Sequence, residues 1–398
     1  LLEELIAVNQ VLLQDPNWSN AATLLERVGS FTDTDSTSRN TVVDWDLAER
    51  LMKRWRSQTP FATDSHFAQR LAADGVTEND LSVCLGESVE ALHARLGETQ
   101  PWLEKLFRAF SRSPAVAPLP LPETPLDRDT IGFLNIIEPL LNAAIARVEA
   151  GAAELALADD HPAFDSAAVA GLLFASLPQR LLAILSRTLV LELHVARLQG
   201  LLNGDTAEQR FRYFAERLRS TEVAIGILQE YPVLARQLVI HVDHWVDFSL
   251  EFLRHLRTDR DQIRSVFARE NDPGLLIEIE GDMGDSHRRG RSVLIAKFAS
   301  GLQIVYKPRS LAVDSHFQEL LVWLNRRGDH CAFRTLKVLD RGDHGWVEFI
   351  AAHNCSSQQE VCRFYERQGA YLALLYALEA TDLHFENLTA AGEHPVLL

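Results

Sequence analysis

The sequence has 398 residues, with 39 Lys and Arg against 55 Asp and Glu, a formal net charge of −16 and 47% hydrophobic residues. That length holds two to three domains of about 150 residues, with ample apolar material for a core, and the acidic balance argues against a nucleic-acid partner or an anionic membrane surface. Gly and Pro are too few for a fibrous chain, and no uninterrupted apolar run reaches the ~20 residues of a bilayer span, so no integral membrane segment is expected.

In chain order, apolar residues at three- and four-residue spacing predict helices over 1–13, 45–55, 66–73 and 81–96. Thr77-Glu78-Asn79-Asp80 supplies a capping stretch before Leu81. Pro114, Pro118, Pro120, Pro122 and Pro125 predict an extended linker. Long helical patterns follow over 131–157, 166–202 with a break at Pro178, 208–218, and 221–267 divided at Tyr231-Pro232. The pattern changes near Asp272-Pro273-Gly274. Strands are predicted over 275–280, 291–298 and 302–307, the last two forming a hairpin about Ala299-Ser300-Gly301. A helix over 311–325, strands over 333–339 and 345–350, and a helix over 357–379 complete the order. The chain stops at His394-Pro395-Val396-Leu397-Leu398, which reads as the middle of a strand, so a fragment boundary is expected.

The expected fold is α+β: helical regions over 1–112 and 131–271 joined by a Pro-rich linker over 113–130, then a small β lobe and the start of a helical large lobe over 272–398. That order resembles a kinase-like fold of the lipid-kinase type, and many α+β domains share it. Four cysteines, Cys84, Cys331, Cys355 and Cys362, suit a reducing, cytoplasmic setting. Cys355 and Cys362 lie near His330, His344 and His353 at a spacing that fits no common zinc motif, and they are read as ordinary thiols.

Three constellations carry chemistry. Gly281 to Arg291 brings three glycines and three arginines between two predicted strands; it suits a loop covering phosphates, and a solvated polar turn has the same composition. Tyr306-Lys307-Pro308-Arg309 ends an apolar strand, where Lys307 can point into a cleft with Glu319 of the next helix as its carboxylate partner. From Asp285 to Arg309 there are six Lys and Arg against one acid, a local surplus of five in a chain of −16; an anion site accounts for that contrast. Thr381-Asp382-Leu383-His384-Phe385-Glu386-Asn387 sets Asp382 and Asn387 five positions apart, as in a kinase catalytic loop, and the apolar strand Trp346-Val347-Glu348-Phe349-Ile350 fits the hinge that holds adenine.

In this order, these residues resemble the dehydratase domain of the class II lanthipeptide synthetases, the LanM family. The resemblance covers residues 281–398 and rests on Gly284-Asp285-Ser286-His287, Val305 to Leu311, Trp323-Leu324-Asn325, Gly345 to Phe349, Phe364 to Gly369, Thr381 to Asn387 and Gly392 to Leu398. It implies ATP-dependent phosphorylation of Ser and Thr in a ribosomal precursor peptide, followed by phosphate elimination. It implies Lys307 on the ATP phosphates, Asp382 on the substrate hydroxyl, His384 beside the transferring group and Asn387 on Mg²⁺. Asp285 and His287 fall at the phosphates or in the elimination step, and Arg309 faces the departing phosphate. Zinc is implied only for a separate cyclase domain. The resemblance also places a second metal-binding Asp directly after Leu398, so these residues alone are expected to be inefficient catalysts. Two other readings share the pattern: a kinase-like module that binds a leader peptide without chemistry, and a kinase of another family.

Overall fold

The structure, a computed structural model, describes residues 13–32, 43–59, 64–97, 100–111, 119–120, 130–157, 162–281, 290–328, 332–381, 384 and 387–397. The expected helix over 1–13 lies outside these residues except at Leu13, and so does most of the Pro-rich linker. The chain divides into two units, one of residues 1–119, 125–143 and 181–242, the other of residues 120–124, 144–180 and 243–398.

In the first unit the helices form where apolar spacing places them, at Trp45–Arg56 and Asp64–Ala73. Met52, Phe67, Leu71, Val76 and Leu81 make one buried cluster. The Thr77 hydroxyl and the Asp80 carboxylate form a reciprocal capping box. The single helix expected over 81–96 is instead two, Glu78–Gly86 and Val89–Leu96. Glu87 is extended at the break, its buried carboxylate paired with Arg95, and Ser88 caps the second helix. Predicted breaks at prolines hold. Pro178 is the second residue of the Leu177–Leu198 helix and Pro232 the first of the Pro232–Phe267 helix, positions where a missing N–H costs nothing. Among the described residues one stretch, Thr130–Leu157, is long and apolar enough to cross a membrane, and 56% of its apolar window is buried within the protein, as in a core helix.

The second unit is built on a five-stranded antiparallel sheet of order β1-β2-β3-β5-β4. Its strands are β1 (Leu276–Glu280), β2 (Leu294–Phe298), β3 (Gln303–Lys307), β4 (Val338–Asp340) and β5 (Gly345–Glu348). The Ala312–Arg327 helix follows β3 and the Gln358–Ala377 helix follows β5. A separate hairpin, β6 (Leu388–Ala391) with β7 (His394–Leu397), ends the described chain. The strand expected over 333–339 shrinks to three residues because side chains take over the backbone groups before it. Asn325 pairs with both N and O of Phe333, each at 2.8 Å, and Gln318 accepts from Leu336 N.

Register fixes what each sheet face presents. β3 pairs with β5 as Ile304↔Glu348, Val305↔Val347, Tyr306↔Trp346 and Lys307↔Gly345. Side chains alternate, so Tyr306 and Trp346 share one face while Val305, Val347 and Lys307 share the other. The first face packs on Phe252 of the Pro232–Phe267 helix, with ring centroids 5.2 Å from Tyr306 and 6.0 Å from Trp346. On the second face Val305 and Val347 gather with Leu311, Ile350 and, from the β6–β7 hairpin, Ala391 and Val396.

Gly345 lies at a close approach: a Cβ there would meet Leu311 Cδ1 at 2.4 Å and Leu339 O at 2.6 Å. Gly345→Ala is expected to cost about 1–3 kcal/mol by overpacking. A urea midpoint equal to that of the parent protein would contradict this.

Candidate functional site

Lys307 ends β3 with its side chain almost buried, and its Nζ lies 3.0 Å from Asp314 Oδ1. Arg309, half exposed, reaches the same carboxylate with Nη1 at 2.7 Å from Oδ2. Burial alone would raise the Asp314 carboxyl; the hydrogen bonds from Arg309 and Lys307 outweigh it and hold the group below the usual carboxylate range. Two cations share one carboxylate, and the surplus positive charge sits where the sequence contrast placed it.

The carboxylate that meets Lys307 is thus Asp314, not Glu319. Asp314 lies in the first turn of the Ala312–Arg327 helix, directly beyond the strand end. Glu319 is five residues further, about 140° around the helix axis, where it pairs with His316 at 3.1 Å in solvent. Its helix face, with Trp323 and Val322, lines an open groove of about 480 Å³ against Leu336 and Val338.

Glu348 ends β5 with its carboxylate engaged by Arg334 at 3.3 Å and by Lys337 N at 3.2 Å. Glu348 N also donates to Lys337 O at 3.0 Å, so its backbone and its carboxylate are both tied to the segment before β4. Asn387 directly precedes β6, and its N donates to His384 O at 3.0 Å. The hairpin is tied to the segment after β5: His353 N donates to Ala390 O and Gly392 N to His353 O. Arg367, buried, donates to Ala332 O and Glu393 O, each at 2.8 Å, so the Arg367 and Glu393 motifs brace the hairpin. Asp285, His287 and Asp382 lie outside the described residues. The described site therefore joins Lys307, Arg309 and Asp314 on one sheet face, with apolar Val305, Val347 and Ile350 beside them and the hairpin after Asn387 packed on that face.

Beneath the opposite face is a polar cluster for which the sequence offered no motif. Asp259, fully buried, accepts from His344 Nε2 and Trp346 Nε1 at 2.8 Å each. Arg341 Nε lies 2.8 Å from its other oxygen as an ion pair without an aligned hydrogen bond. His344 Nδ1 is 2.6 Å from Asp343, so both ring nitrogens face carboxylates. The ring stacks on His255 with centroids 3.5 Å apart and planes 4° from parallel, and His255 Nδ1 meets Tyr306 Oη at 2.8 Å. Ligand atoms of His255, Asp343 and His344 lie within 4.8 Å of one another. The parallel rings cannot aim in-plane lone pairs at one ion, so the cluster is a hydrogen-bonded stack.

Burial first, and His344 second, push the His255 ring below its ordinary 6.5. The other facing groups, Glu251, Asp343 and Asp259, act upward. As pH falls below about 6.5 the unfolded chain takes up a proton that folded His255 refuses, so this contribution to stability is present above that pH and lost on acidification. His255→Gln is expected to flatten the fall in urea midpoint between about pH 7 and pH 5.5. An unchanged slope would contradict the assignment.

The site is thus a buried strand-end lysine and a second cation sharing one helix-borne carboxylate in an α+β unit. Residues 231–398 match the family described as "Domain of unknown function (DUF4135)". The chain is also 26% identical over 225 residues to the lacticin 481/lactococcin biosynthesis protein LcnDR2 of Lactococcus lactis subsp. lactis, across 54% of this chain and 24% of the relative. It spans about a quarter of the length of the curated relative it matches. With its motif order, these matches support a likeness to the LanM-type lanthipeptide synthetases.

Proposed function

We propose that the protein acts in lanthipeptide biosynthesis, in the cytoplasm, as the nucleotide-binding part of a kinase-like dehydratase with a lipid-kinase-like small lobe. The observation that carries this reading is the Lys307–Asp314–Arg309 cluster on the sheet face packed by the hairpin after Asn387. Its surplus cation suits the phosphates of ATP, and the half-buried Val305, backed by the buried Val347 and Ile350, gives the base an apolar neighbour.

The substrate is a ribosomal precursor peptide. In the first step a Ser or Thr hydroxyl oxygen takes the γ-phosphoryl of ATP and ADP departs. Lys307 and Arg309 hold the phosphates, and Asp382 accepts the hydroxyl proton with His384 beside the transferring group. Asn387 offers an oxygen donor suited to Mg²⁺, which neutralises phosphate charge when bound. In the second step a base removes the α-proton, the Cβ–O bond breaks, and phosphate leaves a dehydroalanine or dehydrobutyrine. Asp285 and His287 are the candidates at the phosphates or in this elimination, and Arg309 balances the charge of the departing phosphate.

Mass spectrometry of a candidate precursor incubated with the longest available form of the protein, ATP and Mg²⁺ tests this. Loss of about 18 Da per site supports it, whereas a lasting gain of about 80 Da marks a plain kinase and overturns the dehydratase reading. Capture of the peptide with no mass change at all indicates a binding module.

A further inference from the structure

Lys307 projects from one face of β3, yet the side chains that hold its strand lie on the other. Tyr306, its chain neighbour, bonds His255, and Trp346 and His344 flank Gly345, the residue opposite Lys307 in the β3–β5 ladder. His344 and Trp346 both converge on one oxygen of Asp259, and Arg341 of the same turn meets the other. Asp340, at the start of that turn, accepts from Leu311 N at 2.9 Å, and Leu311 directly precedes the helix that carries Asp314. One buried carboxylate on the Pro232–Phe267 helix therefore anchors the turn that touches both sides of the Lys307–Asp314 pair.

We infer that Asp259 is a positioning residue for Lys307, an assignment that rests on the reading of Lys307 as a phosphate-binding group. Side chains of neighbouring residues on a strand point to opposite faces. Drawing Trp346 and, through the His344–His255 stack, Tyr306 onto the helix fixes the pleat that turns Lys307 toward Asp314. A carboxylate suits this work because the two N–H groups of His344 and Trp346 need an acceptor where they are buried, and its charge is offset by the Arg341 guanidinium. Without the carboxylate the turn loses its acceptors, and Lys307 stays on the strand but loses its direction.

The test compares Asp259→Asn and His344→Gln with the parent protein. Its first readout is the rate at which an amine-acylating reagent labels Lys307, taken relative to Lys297. Lys297 lies on neighbouring β2, pairs with Glu278 and serves as internal control. General loosening would speed both lysines, whereas mispositioning moves Lys307 alone. Asp259→Asn is expected to raise the Lys307-to-Lys297 ratio about fivefold, and His344→Gln less in the same direction. The second readout is MgATP affinity, expected to fall about tenfold in Asp259→Asn. If Asp259→Asn fails to fold, His344→Gln decides, since it leaves Asp259 with Trp346 and Arg341. An unchanged ratio in the soluble variants overturns the assignment. A raised ratio in a protein that binds no MgATP upholds the positioning of Lys307 and overturns its reading as a phosphate ligand.

Discussion

Lys307→Ala is expected to weaken MgATP binding by about 30-fold or more, a loss of about 2 kcal/mol or greater. The size follows from burial: Lys307 is 8% exposed, so its charge is little screened and its stem is held by the sheet. Removing it deletes the proposed phosphate contact and also leaves Asp314, a partly desolvated carboxylate, with only Arg309 to offset it. Arg309→Ala is expected to cost less, because its side chain is 55% exposed and solvent screens its charge. Titration calorimetry of both variants checks the order. Equal losses, or none at Lys307, would remove the lysine from the site.

The largest expected effect on stability is at Trp346, which is fully buried between Phe252 and Tyr306. Trp346→Ala is expected to cost about 3–5 kcal/mol through the cavity it opens. It also withdraws a donor from Asp259. Against a folding stability of about 5–15 kcal/mol, that loss removes a large share of the margin and, at the low end of that range, unfolds up to about half of the protein. Trp346→Phe keeps much of the ring but not the indole N–H, and is expected to cost about 1–3 kcal/mol. Urea denaturation of the three proteins measures both numbers; a loss below about 1 kcal/mol for Trp346→Ala would contradict the packing described.

Much of the fold was legible because its signals are local. Apolar spacing marks the helices, and proline marks where they start anew, as at Pro178 and Pro232. The largely apolar run from Leu302 to Tyr306 marks β3, and the local charge surplus marks the stretch where Lys307 and Arg309 meet Asp314. What was not legible depends on contacts distant in sequence. Residues 333–337 have strand composition, but Asn325 and Gln318 capture their backbone groups first. Glu319 and Asp314 are equally plausible partners for Lys307 in one dimension, and only the helix start separates them. An acid in the first helical turn just beyond the strand was the available signal. Asp259 lies in the run Thr258-Asp259-Arg260-Asp261, which reads as a solvated helix face, and nothing local reports that it is buried.

The central claim is that the face of the sheet bearing Lys307, with the β6–β7 hairpin packed on it, is where nucleotide binds. Hydrogen–deuterium exchange of the protein with and without MgATP tests it most directly. The account predicts slowed exchange in segments 303–311 and 388–397 in the parent protein, and its loss in Lys307→Ala. Protection confined to other segments, or protection that survives in Lys307→Ala, would contradict it.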